Sequence, residues 1–217
     1  MSAPEPVNEP VTFGLLERWL TGWSRSRGLP LPRHAGDGLV VDVGWPDQLR
    51  RHVFPDAGAA LRRCASSTHT PLVHLKVPVD RDILRQALPP GWTVEAPGYL
   101  MRRCGPMTPA GALASGYDVA LSVEHGAYVV RVADAAGAIA ASGRITLRAG
   151  TAVFDQIETA EPHRRKGLAS AVMLTLDQLA CQAGATERLL VATEAGVALY
   201  VSLGWEHVAP WSTAVLR

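Results

Sequence analysis

The sequence predicts an α/β fold: a mixed, mostly antiparallel sheet flanked by helices, with an N-terminal α/β extension. Two observations support this fold class. The second half of the chain shows alternating strand patterns separated by hairpin signals, and then a helix, a strand and a second helix. The first half has a strand–helix–strand order of its own, which suggests a small α/β unit in front of the main sheet.

The first half is predicted to begin with a disordered tail over residues 1–10 and one amphipathic helix. Apolar residues recur at helical spacing from Phe13 to Trp23, and Gly28 followed by Pro30 ends the pattern. This helix either docks on the core or binds a partner. The patterns that follow predict a strand over 39–43, a helix over 46–53, a strand over 72–77, a helix over 80–88 and extended chain over 92–102.

The second half is predicted to form the larger unit. Residues 106–116 are rich in Pro, Gly and Ala and are typical of a linker between an extension over 11–105 and a core over 117–217. The patterns in this core predict strands over 117–124, 127–133, 138–147 and 151–158, a helix from Arg164 that Gly184 ends, a strand over 188–192, a helix over 194–203, and a last pair of short strands within 205–216.

Composition and charge exclude several classes of function. The formal net charge is +1, so no overall charge favours nucleic acid or an anionic membrane as a partner. Three scattered cysteines without a CxxC pair fit a reducing cytoplasm, and the histidines show no metal-ligand spacing. The first ten residues are unlike a signal peptide, and no apolar run reaches the roughly 18 residues of a membrane span. We therefore expect a cytoplasmic protein without a metal. The only two lysines, Lys76 and Lys166, are attributed to coding bias.

The segment from Arg164 to Ala169 is the predicted centre of the chemistry, because it lies where a strand becomes a helix. The first N–H groups of a helix have no partner within the helix, and the helix dipole adds partial positive charge there. Gly167 and Ala169 have little or no side chain, so a phosphate can approach the backbone. Three basic residues before Gly167 add formal positive charge. The segment therefore predicts an anion site.

Two motifs make the sequence similar to the GNAT superfamily of acetyl-CoA-dependent acyltransferases. Arg164, Gly167 and Ala169 match the family's pyrophosphate loop, Gln/Arg-x-x-Gly-x-Gly/Ala. About thirty residues later, the segment 198–205 resembles the family's Ala-x-Tyr-x-x-x-Gly-aromatic ending. The resemblance covers roughly residues 117–217.

The resemblance implies an N-acetyltransferase that moves acetyl from acetyl-CoA directly to a primary amine of a small molecule. In such proteins the strand before the loop splays from its neighbour, and its backbone pairs with the pantetheine arm. Tyr200 occupies the position of the general acid that protonates the CoA thiolate. Asp155 occupies that of an acidic residue facing the substrate, which makes it the candidate base. The residues implied for acetyl-CoA binding are Ile157, Glu158, Thr159, Arg164, Arg165, Lys166, Gly167, Leu168, Ala169, Ser170 and Thr193.

Other interpretations stay open. Tyr200 is otherwise a tyrosine packed on an apolar helix face, and Asp155 a solvated or salt-bridged aspartate, with a water chain as the alternative base. A bulge in the strand would decide which face Glu158 occupies. A non-catalytic acyl-CoA-binding regulatory module and a protein amine acetyltransferase are the alternative functions. The family resemblance also leaves a homodimer open.

Two departures from the family pattern bear on the acceptor pocket. Most GNAT proteins place two helices between their first two strands, whereas only His125-Gly126 follows the strand over 117–124. The unit over 11–105 would then supply the pocket wall, or one of its strands would replace the family's first. Thr193 stands where the family often has an asparagine.

Other basic and polar residues are open candidates for ligand contacts. His163 adjoins the predicted phosphate loop and could contact the cofactor. The arginine pairs 50–51, 62–63 and 102–103 are expected to be solvated, with an acidic acceptor or the CoA 3′-phosphate as the alternative ligand.

Overall fold

The computed structural model describes residues 11–109, 113 and 115–217. The predicted tail over 1–10 and part of the predicted linker, residues 110–112 and 114, lie outside the described residues. The helices are α1 (Phe13–Ser26), α2 (Ala59–Ser67), α3 (Arg81–Ala87), α4 (Leu168–Gln182) and α5 (Glu194–Ser202), with a 3-10 turn at Glu161–His163. The strands are β1 (Arg33–Ala35), β2 (Gly38–Trp45), β3 (Gln48–Val53), β4 (Val73–Val77), β5 (Trp92–Val94), β6 (Gly98–Cys104), β7 (Tyr117–Glu124), β8 (Ala127–Asp134), β9 (Ile139–Arg148), β10 (Thr151–Thr159), β11 (Glu187–Thr193) and β12 (Glu206–Leu216).

The described strands form one twelve-stranded sheet. Its order is β1-β2-β3-β4-β12-β6-β11-β10-β9-β8-β7, with β5 paired to β12 beside this path. Neighbouring strands are antiparallel except for the β3–β4 and β10–β11 pairs. The prediction of a mixed, mostly antiparallel sheet flanked by helices is therefore confirmed.

The two halves of the chain share this sheet. Strand β6 belongs by sequence to the predicted extension over 11–105, yet it lies between β11 and β12 and pairs with both. The hydrogen bonds of the sheet therefore cross the predicted linker over 106–116. The division into an extension and a core over 117–217 stays a prediction about the sequence.

Helices cover both faces of the central strands. In β10, Val153 faces a cluster with Leu16 and Leu20 of α1, whereas the next residue, Phe154, faces a cluster with Val172 of α4. Adjacent residues point to opposite faces because the side chains of a strand alternate. Helix α1 thus docks on the core, which was one of its two predicted roles.

Three local predictions were wrong or incomplete. The helix predicted over 46–53 is a hairpin, because Gly44 at φ 71° and Pro46-Asp47 make the turn and β3 pairs with β2. The pair of short strands predicted within 205–216 is one strand, whose first part pairs with β6 and whose last part pairs with β4 and β5. Helix α2 and strand β1 were not predicted.

Among the described residues, no helix is long and apolar enough to cross a membrane.

Candidate active site

The loop before α4 presents backbone donors to open space. Strand β10 leads through the 3-10 turn to Gly167, which caps α4 in the left-handed conformation at φ 76° and makes no side-chain capping bond. The N–H groups at the start of α4 therefore have no side-chain acceptor at the cap. A Cβ added to Gly167 would meet nothing within 4 Å. The loop is thus open to a ligand at the positive end of the helix dipole.

A groove of about 490 Å³ lies between this loop and helix α5. Its walls come from the end of β10 and the start of α4, which are close together in the chain, and from one face of α5, which follows some thirty residues later. It is lined by Thr159, Arg164, Arg165, Gly167, Leu168, Ala169, Ser170, Ala195, Ala198, Leu199 and Ser202. The structure therefore brings seven of the eleven candidate cofactor residues together in one groove.

The other four candidate cofactor residues do not line the groove. Ile157 packs against the core on the α4 side, and Glu158 resumes the pairing of β10 with β9 after a bulge. Lys166 donates a hydrogen bond to the Tyr117 hydroxyl at 3.3 Å. Thr193 lines a second cavity.

Strands β10 and β11 separate beside the groove. They pair in parallel only from Thr151 to Val153 on β10, so the rest of β10 has no ladder with β11. On its other edge, the pairing with β9 shifts between Asp155 and Glu158, where Gln156 has φ 50°. This is the bulge that the sequence left open. The separated stretch of β10 therefore has backbone groups free of the sheet.

Tyr200 on α5 is nearly buried, with 8% of its surface exposed. Its ring packs beside that of Trp205, with centroids 6.1 Å apart. Burial, together with the negative charge of Asp155, raises the pKa of Tyr200 to about 12. The hydroxyl therefore keeps its proton at neutral pH, and it lies within electrostatic range of Asp155.

Asp155 is held in an ion pair. Its Oδ2 accepts hydrogen bonds from Ser26 Oγ and Arg27 Nε, both at 2.7 Å, and its Oδ1 accepts one from Arg27 Nη2 at 2.8 Å. Its side chain is 11% exposed. The salt-bridged alternative for this aspartate is therefore what the structure shows, and its partners come from the end of α1.

A second cavity, of about 240 Å³, opens in front of Asp155. Residues from the first half of the chain face it across the separated strands β10 and β11. Its lining residues are Trp19, Trp23, Arg27, Arg51, Lys76, Ala96, Pro97, Gly98, Phe154, Asp155, Val191, Ala192, Thr193, Trp211 and Thr213. We name this space the Asp155 cavity.

Two basic side chains that line the Asp155 cavity, Arg51 and Lys76, have lowered pKa values. Burial and the nearby Arg27 charge lower the pKa of Arg51 to about 9. Burial, and then the charge of Arg51, lower the pKa of Lys76 well below its usual range. Sequence reasoning missed Arg27 and Lys76 as site residues. The scarcity of lysine was a usable signal, since both Lys76 and Lys166 lie at or beside a candidate ligand site.

Tyr200, His163 and Arg50 line neither the groove nor the Asp155 cavity. His163 Nδ1 is 2.9 Å from the Tyr117 hydroxyl and does not line the groove. Arg50 pairs with Asp42 at the surface, in contrast to its buried neighbour Arg51. Among the described residues, no group of three or more His, Cys, Asp or Glu side chains could hold a metal ion.

The open start of α4 thus lies beside two parallel strands that separate. The model of the Acetyltransferase (GNAT) family matches residues 84–205, more than half of the chain, so the chain belongs to this family. The match begins inside the predicted extension and continues through the predicted linker. No curated protein sequence is significantly similar to the chain.

Solved structures show the same fold over nearly the whole chain. A GCN5-related N-acetyltransferase from Kribbella flavida is 16% identical with a TM-score of 0.65, covering 95% of this chain and 97% of its own. A putative GNAT acetyltransferase from Novosphingobium aromaticivorans is 18% identical with a TM-score of 0.57, over 92% and 96%. A GCN5-related N-acetyltransferase from Sphaerobacter thermophilus is 13% identical with a TM-score of 0.58, over 83% and 77%. At these identities the likeness concerns the fold alone.

Proposed function

We propose that the protein is an N-acetyltransferase that moves acetyl from acetyl-CoA to a primary amine of a small molecule. The observation that carries the proposal is that the groove and the Asp155 cavity both lie along the stretch of β10 that does not pair with β11. The groove is lined by Thr159 near the end of this stretch, and the cavity by Phe154 and Asp155 at its start. Acetyl-CoA bound in the groove and an acceptor bound in the Asp155 cavity would meet where β10 and β11 separate.

The residues of the groove fit a CoA ester. The amides from Arg165 to Ser170 would hold the pyrophosphate, with Arg164 and Arg165 supplying positive charge. The backbone over 157–159, including Glu158, would pair with the pantetheine arm. Lys166 and Thr193 are proposed contacts at the two ends of the cofactor. When bound, acetyl-CoA supplies the acyl group and a thiolate leaving group.

The bulge in β10 would serve the donor carbonyl. Because the pairing with β9 is interrupted between Asp155 and Glu158, N–H groups near Ile157 are released from the sheet. A backbone N–H directed at a carbonyl oxygen stabilises the negative charge that develops there. We assign this role to the N–H groups near Ile157.

Asp155 would receive the acceptor amine. A primary amine with pKa near 10 needs roughly 4 kcal/mol to lose its proton at neutral pH. A carboxylate has about four lone-pair sites, and three of those on Asp155 are used by Ser26 and Arg27, so one remains for the ammonium. An ammonium has no lone pair, so one proton must leave the nitrogen before it attacks the acetyl carbonyl, and a second proton leaves after the C–N bond has formed. We therefore propose that Asp155 orients the ammonium and takes the first proton, directly or through water, before the attack, and that the second proton passes to water.

Tyr200 would donate its proton to the departing thiolate. Its raised pKa keeps the hydroxyl protonated throughout the neutral pH range, so the proton to be donated is always present. In Tyr200→Phe, we expect turnover to fall about 10²- to 10⁴-fold while the affinity for acetyl-CoA stays unchanged. Thiol release and calorimetry measure the two quantities. Unchanged turnover would show that Tyr200 has no part in the mechanism. A non-catalytic acyl-CoA-binding module would give the same result, because the thiol release measured with either protein would be only the uncatalysed background.

The deciding experiment is acetyl-CoA binding by calorimetry, with Gly167→Glu as the test variant. This change places bulk and negative charge where the pyrophosphate should lie. Gly184→Glu is a matched control, because Gly184 at the other end of α4 has φ 70° and equally open space. We expect saturable binding that is lost in Gly167→Glu and retained in Gly184→Glu. Absence of binding in the unmodified protein would overturn the proposal.

A further inference from the structure

The Asp155 cavity has an excess of positive charge. Arg27, Arg51 and Lys76 line it, and Asp155 is the carboxylate that faces them. Asp155 is already engaged by Arg27 and Ser26. Two cations therefore remain without a carboxylate in the wall of the cavity.

Arg51 is built into the wall with one donor unused. The residue is 7% exposed, and its guanidinium lies 3.5 Å from the centroid of the Trp23 ring. Nη2 donates to the Gln48 side chain at 3.0 Å, whereas the buried Nε has no hydrogen-bond partner. A buried donor without a partner costs free energy. Arg51 lines the cavity, so a ligand anion that reaches its guanidinium would offset this cost.

Lys76 is the second unpaired cation. Its Nζ donates to Thr213 Oγ1 at 2.8 Å, which leaves two of the three ammonium donors unassigned. Glu95 influences Lys76 electrostatically, but this carboxylate is 3.6 Å from Arg217. In the part of the chain that the structure describes, neither Lys76 nor Arg51 forms an ion pair.

We propose that the acceptor carries an anionic group, a carboxylate or a phosphate, and that Arg51 and Lys76 bind it. The inference rests on the proposed function, since it places the acceptor in the Asp155 cavity. The acceptor is then a zwitterion: its ammonium meets Asp155 and its anionic group meets the two cations. Burying an unpaired charge is expensive, and a ligand anion removes that cost at both residues.

The same charges select against other amines. A polyamine would bring further positive charge into a cavity that already holds an excess of it, and like charges repel strongly where water is excluded. The cavity, at about 240 Å³, has about half the volume of the groove, at about 490 Å³, so we expect a small acceptor. An amino acid or a phosphorylated small amine satisfies both conditions.

Anion binding can be tested without turnover. Acetate and inorganic phosphate are titrated into the full chain saturated with CoA, which occupies the groove, and tryptophan fluorescence is followed because Trp19, Trp23 and Trp211 line the cavity. We expect a saturable change whose dissociation constant rises about 10- to 100-fold in Lys76→Met and in Arg51→Met. Arg50→Met is the matched control, since Arg50 lies beside Arg51 on β3 and pairs with Asp42 at the surface. A response that is absent, or unchanged in both variants, overturns the proposal.

Matched acceptors test the same inference during turnover. Thiol release is compared for amino acids and their C-terminal amides, for an amino sugar phosphate and the free amino sugar, and for spermidine. We expect the anionic member of one pair to have the higher kcat/KM, with the first pair reporting a carboxylate and the second a phosphate. Equal or better use of the uncharged member in both pairs, or a higher kcat/KM for spermidine than for every anionic acceptor, overturns the proposal.

Two controls keep the outcomes separate. Loss of acetyl-CoA binding contradicts the proposed function, whereas a failure of this inference leaves that binding intact and alters only the anion response. The denaturation midpoints of Arg51→Met and Lys76→Met are measured first. If Arg51→Met does not fold, Arg51→Lys keeps the charge but moves the donors, and a smaller rise in the anion dissociation constant is expected.

Discussion

Gly22 is where helix α1 approaches the sheet most closely, and a single methyl group tests that approach. In Gly22→Ala, the new Cβ would lie well inside contact distance of Val153 Cγ2, 2.5 Å from Val153 Cβ and 2.9 Å from Thr146 Oγ1. The Gly22 carbonyl also accepts a hydrogen bond from Thr146 Oγ1 at 3.2 Å. The helix must therefore move away from β9 and β10 to accommodate the side chain.

The magnitude follows from two opposing effects. Carbon atoms pack best at about 3.5–4.0 Å, so α1 must withdraw by roughly 1 Å, and overpacking of this kind costs about 1–3 kcal/mol. Alanine has a higher helix propensity than glycine, so this replacement inside a helix stabilises the folded protein by about 1 kcal/mol. We expect a net loss of about 1 kcal/mol in the free energy of unfolding of Gly22→Ala. Gly14→Ala, in the first turn of the same helix, meets only the end of Arg18 at 3.6 Å and should gain stability instead.

The assay is denaturant unfolding of the two variants beside the unmodified protein. The Gly22 variant should also weaken acceptor use, because α1 carries the Ser26 and Arg27 side chains that hold Asp155. A Gly22→Ala protein as stable as Gly14→Ala would refute the close docking of α1 on β10. Lower stability without a change in the KM for the acceptor would separate the docking of α1 from the positioning of Asp155.

Two further predictions concern Arg27, which forms the ion pair with Asp155, and the titratable side chain of His52. Arg27→Met leaves Asp155 with one of its three hydrogen bonds, so we expect the free energy of unfolding to fall by about 1–3 kcal/mol. In the control Arg25→Met, which changes an exposed residue of the same helix, it should stay within about 0.5 kcal/mol of the unmodified protein. Burial first, and then the charges of nearby arginines, lower the pKa of His52 to about 4 in the folded protein. The unfolded chain binds this proton near pH 6.5, so the contribution of neutral His52 to the free energy of unfolding is fully present above that pH. It is lost as the pH falls from 6.5 through 4, by up to about 3 kcal/mol. Denaturation of the unmodified protein and of His52→Gln over this pH range measures the loss.

Each of these measurements can contradict its premise. Equal midpoints for Arg27→Met and Arg25→Met would show that the ion pair with Asp155 adds nothing to stability. A His52→Gln protein that loses stability between pH 6.5 and 4 as steeply as the unmodified protein would place the acid sensitivity in other groups.

The parts of the fold that the sequence predicted well are those specified by neighbouring residues. Strand β7 has the predicted bounds, because its alternation is local and His125-Gly126 makes the turn that follows. The end of α4 follows from its apolar stripe and from the Gly184 stop, whereas its start is at Leu168 and not at the predicted Arg164. The phosphate loop stays a prediction, and it could be made from the sequence because the candidate residues from Arg164 to Ser170 are consecutive in the chain.

The parts that the sequence did not predict depend on distant partners. Gln48–Val53 is a strand because it pairs with β2 and β4, and nothing in the segment alone distinguishes it from a short charged helix. Likewise, β6 takes its place by pairing with β11 and β12, which follow it by more than eighty residues. Pairing between such distant segments leaves no periodic signal in either of them.

The same distinction applies to the two substrate spaces. The groove is built mainly from one loop and one helix face, so its chemistry is visible in two short motifs. The Asp155 cavity receives Arg27 from the end of α1, Arg51 from β3 and Lys76 from β4, and each is unremarkable within its own segment. Its positive charge exists only after the strands have assembled, because Arg51 is turned inward while Arg50, its neighbour, reaches the surface. The proposed cofactor is therefore indicated by the sequence, whereas the cluster of cations from which we infer an anionic acceptor becomes visible only in the folded chain.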